Sequence, residues 1–249
     1  MRITEILRKY VRKIVYKENA TENDLISYLR SRGAVIGSNV RIYAPNKTLI
    51  DKSTPWLLKI GDCVRITEGV KILTHDYSWS VLKCYEDDEI QAGEILGAQS
   101  PVEIGNNVFI GMNAIITRGV TIGNNVVIGA GSVVTKDCES NSVYAGNPAR
   151  RIMSISEFYQ KRKQKQFNEA REIAIRYKTQ CGKEPPREVF SEYFMLFSTP
   201  EAAAEVDVFQ SQMKTNGNYD ATVRFMKTSK PMFSDYHAFL QACYEEEEK

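Results

Sequence analysis

The feature that most constrains the fold is a spacing of six residues between branched aliphatic side chains in residues 34–153. Positions six apart run from residue 36 to 72 and from 104 to 134, and eleven of these thirteen positions hold Ile or Val. The two exceptions are Thr48 and Thr54. A helix repeats every 3.6 residues and a strand every two, so a sustained period of six indicates repeats of one short strand and one turn.

Turn-forming residues separate the aliphatic positions, and many are Gly or Asn, which tolerate the positive φ of tight corners. Three strand–turn units close a triangular coil of about 18 residues, in which the aliphatic side chains stack into one core. The sequence therefore predicts a mainly β domain over residues 34–153, built as a parallel β-helix.

The chain on either side of the repeats has helical patterns instead. Residues 1–33 predict N-terminal helices, and residues 154–249 predict an α-helical C-terminal extension. Within the extension we expect a long helix ending near Gly182, a helix with an aromatic face over residues 189–197, and two more at residues 201–214 and 235–245.

The first helix combines an apolar stripe with a basic face formed by Arg2, Arg8, Lys9, Arg12, Lys13 and Lys17. Two interpretations fit this pattern. The helix either makes a peripheral contact with an anionic membrane surface or packs on its own protein with the basic face in water.

The period of six breaks after Ile72, because the 32 residues from there to Ile104 are five sixes and two more. The chain is therefore expected to leave the coil, form a protruding loop over residues 76–103 and return in a new register. His75, one of only two histidines, lies at this break. Loops on a rigid scaffold are favourable places for chemistry.

Composition excludes several classes of function. The 33 basic and 31 acidic residues nearly balance, which gives no argument for nucleic acid. Five scattered cysteines without a CxxC spacing, and two histidines, predict no disulfide framework and no metal site. The chain contains no run of 18 apolar residues and begins with a charged segment, so we expect a cytoplasmic protein.

The repeats resemble those of the hexapeptide-repeat acyltransferases, the left-handed parallel β-helix family. Residues 108–116, residues 119–137 and the closing Ala-Gly-Asn-Pro-Ala-Arg of residues 145–150 carry the resemblance. It implies a left-handed coil, a homotrimer with active sites between neighbouring subunits, and acetyl-CoA as co-substrate. The chain is most similar to O-acetyltransferases that modify sugars of surface polysaccharides, lipopolysaccharides or their precursors. An amino-sugar N-acetyltransferase or a xenobiotic acetyltransferase of the same fold is the alternative.

The resemblance assigns the role of general base to His75. An unperturbed imidazole titrates near pH 6.5, which suits removal of a hydroxyl proton at neutral pH. Asp76 is the second catalytic candidate. It could accept a hydrogen bond from the imidazole Nδ1, contact the sugar or cap a turn, and the sequence leaves these roles open.

The other candidate residues concern the two substrates. By resemblance, coenzyme A binds at Gly111, Ala130, Thr135, Lys136, Arg150 and Arg151. Lys136 could instead be a solvated corner charge. Phe109 and Met112 stand where the family often has Trp and Ser, so those two contacts are not carried over. In the loop, Tyr77, Trp79 and Asp87 suit a saccharide acceptor, and Trp79 fits packing on the next subunit equally well.

Overall fold

The computed structural model describes residues 2–245, and the chain divides into two compact units between Phe158 and Tyr159. The first unit contains the repeats. Its strands are β1 (Val35–Ile36), β2 (Arg41–Ile42), β3 (Leu49–Ile50), β4 (Leu58–Ile60), β5 (Arg65–Ile66), β6 (Lys71–Ile72), β7 (Val102–Ile104), β8 (Val108–Ile110), β9 (Ile115–Ile116), β10 (Thr121–Ile122), β11 (Val126–Ile128), β12 (Val133–Val134), β13 (Ser142–Ala145) and β14 (Arg150–Ser154).

From β1 to β12, every third strand joins the same sheet, and β13 and β14 both extend the sheet of β11. The three sheets run β1-β4-β7-β10, β2-β5-β8-β11-β13-β14 and β3-β6-β9-β12, and all pairs are parallel except β13–β14. This is the parallel coil that the six-residue period predicts. Each ladder position stacks on its counterpart one coil away, as Ile60 does on Ile36 and Ile104, and these side chains form the buried core. Burial of such a continuous aliphatic ladder is the main force that holds the coil together.

The first coil is longer than the coil that begins at Ile104, which corrects one detail of the pattern. Ile36 lies opposite Ile60, a step of four repeats of six, whereas Ile104 lies opposite Ile122, a step of three. The third ladder position of the first coil is Ile50 and not Thr48. In the other two sheets the first coil is longer by one full repeat of six. Counting in sixes therefore still gives the correct ladder residues there.

One corner of the coil is a column of residues with positive φ. Asn39, Asn107, Asn125 and Asn141 occupy it with Cys63, at φ between 52° and 59°. Asn tolerates this conformation because its short side chain forms local hydrogen bonds. Here the Asn107 amide donates to Asn125 at 2.9 Å and the Asn125 amide to Asn141 at 2.8 Å, so the side chains tie successive coils together.

Two helices precede the coil, α1 (Arg2–Tyr16) and α2 (Glu22–Ser31). Thr21 caps α2 by accepting a hydrogen bond from the Asp24 amide. The apolar stripe of α1 is solvent-exposed: between 54% and 70% of the surface of Leu7, Tyr10, Val11, Ile14 and Val15 is accessible. The structure therefore does not show the packing of this stripe on the rest of the protein that one interpretation of the sequence requires.

The second unit is helical, as expected for the C-terminal extension. Its helices are α3 (Ile155–Cys181, which begins just before the unit), α4 (Pro200–Ala204), α5 (Asp207–Lys214), α6 (Tyr219–Thr228) and α7 (Tyr236–Tyr244). The helix predicted over residues 189–197 is wrong, because two 3-10 turns, Arg187–Phe190 and Phe194–Leu196, replace it. The irregular backbone buries Phe190, Phe194 and Phe197 in one aromatic core.

Among residues 2–245, no helix combines the length and the apolar character needed to cross a lipid bilayer.

Candidate active site

His75 lies where the chain leaves the coil after β6. It pairs with Gln99 in an antiparallel bridge, and beside this bridge the Ser100 amide donates to the Thr74 carbonyl at 3.0 Å. The outgoing and returning chains are therefore hydrogen-bonded to each other at the base of the loop. The rigid coil and this bridge together fix the backbone that carries the imidazole.

The imidazole of His75 is held by a carboxylate. Its Nδ1 lies 2.5 Å from Oδ2 of Asp51, whose side chain is 4% exposed, whereas the histidine side chain is 45% exposed. An ionised carboxylate can only accept, so Nδ1 carries the hydrogen and the lone pair of the neutral ring lies on Nε2. Nε2 makes no hydrogen bond to any residue between 2 and 245.

Asp51 is itself fixed by a buried network. Its Oδ1 accepts from the backbone and hydroxyl of Ser53 at 2.9 and 2.6 Å, and its Oδ2 accepts from the Thr74 hydroxyl at 2.5 Å. The Thr54 hydroxyl lies 2.8 Å from that of Thr74. Burial alone would raise the pKa of Asp51, but the hydrogen bonds from Ser53, Thr74 and His75 outweigh it and lower the pKa below its ordinary value. The carboxylate is therefore ionised at neutral pH.

Sequence reasoning missed Asp51, although a signal was present. Counting in sixes does not lead to it, because His75 follows β6, where Ile50 lies opposite Ile72, a step of 22 residues. The signal is the break in the aliphatic pattern at Thr54, three residues after Asp51. Thr54, one of the two exceptions to the aliphatic pattern, belongs to the same network.

Asp76 caps a turn, which is one of the three roles that the sequence left open. Its carboxylate accepts from the backbone and hydroxyl of Ser78 at 2.8 and 3.1 Å, so it caps a turn. These hydrogen bonds, the backbone one first, lower its pKa. The Nδ1 partner of the imidazole is Asp51 and not Asp76. Arg118, from the next coil, lies 3.9 Å from Asp76 and was not identified from the sequence.

The structure places the predicted acceptor-contacting residues in an exposed loop. Tyr77 is exposed and packs edge-on against Trp79, with ring centroids 4.9 Å apart. Asp87 accepts from the Tyr85 hydroxyl at 2.7 Å and from the Glu89 amide at 2.9 Å. Tyr77 and Trp79 therefore follow the imidazole directly, whereas Asp87 stabilises a turn further along the loop.

The structure explains Gly111 by the packing of neighbouring coils, a reason other than the coenzyme A binding that the resemblance implies. A Cβ at this position would lie 2.5 Å from the backbone nitrogen of Ala130, so glycine is required where neighbouring coils stack. The coil thereby brings Gly111 and Ala130 together. The other predicted coenzyme A residues are exposed and lie at the end of the coil: Thr135 and Lys136 after β12, and Arg150 and Arg151 on β14.

Comparisons with known proteins found a matching family model and several similar chains. Residues 101–136 match the family model described as "Bacterial transferase hexapeptide (six repeats)". Protein CapG of Staphylococcus aureus is 43% identical over 144 residues, which are 57% of this chain and 76% of that protein. Among solved structures, a maltose O-acetyltransferase from Clostridium difficile 630 is 32% identical, with 59% of this chain and 85% of that one covered and a TM-score of 0.36. A galactoside acetyltransferase in complex with coenzyme A is 29% identical, with coverage of 59% and 80% and a TM-score of 0.41.

The identity to protein CapG and the extent of that match establish the relationship. The chain belongs to the hexapeptide-repeat acyltransferase family.

Proposed function

We propose that this protein transfers an acetyl group from acetyl-CoA to a hydroxyl of a sugar in a surface polysaccharide, a lipopolysaccharide or a precursor of either, with His75 as the general base. The observation that carries the proposal is the hydrogen bond between the imidazole Nδ1 and the buried, ionised Asp51. It leaves Nε2 as the basic nitrogen of a side chain that is 45% exposed.

The chemistry requires little more than this pair. As the acceptor hydroxyl attacks the thioester carbon, its proton passes to Nε2 of His75, and the new C–O bond forms as the C–S bond breaks. Coenzyme A leaves as a thiolate and recovers a proton from the imidazolium. Asp51 holds the productive tautomer and stabilises the positive charge that develops on the ring. Asp76 keeps the turn after His75 in place.

The residues proposed for coenzyme A fit its charge. Lys136, Arg150 and Arg151 are exposed cations, and none forms an ion pair with a carboxylate in the described part of the chain. Unpaired cations suit the phosphates of the nucleotide end. Thr135 and Ala130 would lie along the pantetheine arm, and Gly111 supports the backbone under Ala130.

The proposal includes the assembly and its surroundings. We infer a left-handed coil and a cytoplasmic homotrimer whose active sites lie between subunits. Outward-facing apolar side chains on the first unit, among them Leu49, Phe109 and Met112, are exposed in the single chain and are suited to subunit contacts.

A peripheral membrane contact is also part of the proposal. The stripe of α1 is exposed, and the sequence pattern puts basic residues on the opposite face, a combination typical of helices that lie in the interface of an anionic bilayer. Contact of this kind would hold the enzyme near a lipid-linked acceptor.

Thiol release from acetyl-CoA tests the proposed reaction against a panel of sugars, oligosaccharides and amines. We expect His75→Ala to lose roughly 10²–10⁴-fold in kcat, the usual contribution of a general base. His237→Ala removes the only other histidine, which is exposed on α7, and should behave like the parent. Thiol release with amines alone would favour the N-acetyltransferase alternative, and an active His75→Ala would eliminate His75 as the base.

A further inference from the structure

The helical unit contains a cleft of about 500 Å³. Its lining residues are Tyr159, Arg162, Lys163, Gln166, Met195, Leu196, Phe225, Ser229, Lys230 and Met232. The first four come from one face of α3, at spacings of three and four residues, and the others come from the second 3-10 turn, α6 and the segment after it. The volume is within the range of small-molecule sites.

Exposed apolar surface in this unit is concentrated at the cleft. Tyr159, Phe225 and Met232 line it and are between 51% and 62% exposed. In the described part of the helical unit, only Ile175 and Val208 are comparable large apolar side chains in solvent. The unit buries most of its other large apolar groups in an aromatic core. The exposed rings of Tyr159 and Phe225 are not part of that core.

The charge of the cleft is positive. Arg162 is neutralised by a two-point pair with Glu169, with both N–O distances 2.7 Å. Lys163 and Lys230 make no hydrogen bond or ion pair with any residue from 2 to 245, and the lining contains no carboxylate. A ligand that brings negative charge would therefore meet two available ammonium groups.

From these observations we infer that the cleft binds an acidic saccharide, a sugar chain that carries carboxylates. The faces of Tyr159 and Phe225 suit the C–H faces of pyranose rings, the amide of Gln166 suits hydroxyls, and Lys163 and Lys230 suit the acid groups. The choice of a saccharide rests on the proposed function, while the apolar and cationic character is seen directly.

Calorimetric titration of the full chain with tetragalacturonate tests the inference, with neutral maltotetraose in parallel. We expect the acidic probe to bind more tightly than the neutral one. Phe225→Ala and the double variant Lys163→Gln/Lys230→Gln should each weaken binding at least about tenfold, within the range of one lost aromatic or charge contact. Val208→Ala and Lys227→Gln remove an exposed apolar group and a cation outside the cleft and should leave binding unchanged.

Equal binding of both probes, or unchanged binding by the cleft variants, would overturn the inference, as would an absence of binding at millimolar probe. Complete displacement of the acidic probe by uridine diphosphate would show a nucleotide site instead. His75→Ala should bind tetragalacturonate as the parent does. If the parent binds the probe through the cleft but acetylates no saccharide, the cleft assignment stands and the proposed reaction fails.

Discussion

At the scale of single residues, the pairing of His75 with Asp51 decides what the site can do. An exposed histidine alone samples both tautomers and several orientations. Here a buried carboxylate with five donors around it leaves the ring one hydrogen-bonded orientation and puts the lone pair on the exposed nitrogen. The residue next in sequence, Asp76, does not take part, because its carboxylate is engaged by Ser78.

This arrangement predicts a large loss of activity for one isosteric substitution and a small change for another. Asp51→Asn introduces an amide that can donate to Nδ1 and so stabilise the wrong tautomer, and we expect kcat to fall about 10²-fold or more with little change in KM. Asp76→Asn should stay within a few-fold of the parent. Steady-state kinetics of both variants measures the difference. A larger loss in Asp76→Asn would return the orienting role to that residue.

The lowered pKa of Asp51 also predicts a contribution to stability that depends on pH. A carboxyl whose pKa is lower in the folded state stabilises the protein above its unfolded pKa, about 3.9 for Asp, and loses that contribution as pH falls toward the folded pKa. Between about pH 5 and pH 2 the free energy of unfolding should therefore fall more steeply in the parent than in Asp51→Asn. Urea unfolding at several pH values compares the slopes, and parallel slopes would contradict the prediction.

At the scale of elements, α1 shows why an amphipathic pattern does not identify what it packs against. The period of 3.6 correctly indicates a helix with an apolar stripe, and the same stripe fits a protein core, another subunit or a membrane. In the single chain the stripe is not packed in a protein core, because Tyr10 and Ile14 remain about 70% exposed. Basic residues along the opposite face favour an anionic surface.

Sedimentation with lipid vesicles tests this element. The parent should bind vesicles that contain phosphatidylglycerol and bind phosphatidylcholine vesicles weakly, and binding should fall as salt screens the charges. Ile14→Asp places a charge in the stripe and should abolish binding. Val208→Asp, a matched change of an exposed aliphatic residue on α5, should not. Equal loss in both variants, or retained binding in Ile14→Asp, would contradict membrane contact through α1.

At the scale of the whole molecule, the sequence predicts regular elements well and irregular ones poorly. The six-residue period predicted the coil because each rung obeys the same local rule, and it placed His75 at the break in that rule. It could not identify Asp51, whose contact depends on the length of the first coil. The aromatic spacing around Phe194 wrongly predicts a helix, because the same apolar pattern also fits the 3-10 turns that pack these rings in the core.

The proposed trimer makes a prediction that can be tested only on the assembly. Three copies of the 28.3 kDa chain should give a particle of about 85 kDa by light scattering. If His75 of one subunit works with coenzyme A held by its neighbour, mixing inactive His75→Ala with inactive Lys136→Gln/Arg150→Gln should restore activity. Random mixing gives about a quarter of sites both intact partners. Trimers that recover no activity would place both groups in one subunit.

The bridge at the base of the loop has a consequence for how such a protein can diverge. His75 pairs with Gln99, and the Asp76 amide donates to the Ala98 carbonyl at 2.9 Å, so the two ends of the loop meet within one step of a hairpin. Most of the sequence between them is exposed, and hydrogen bonds such as that from the Gly93 amide to the Lys83 carbonyl form within the loop. Residues 77–97 therefore form a cassette that insertion, deletion or recombination can replace while the scaffold and its general base stay intact.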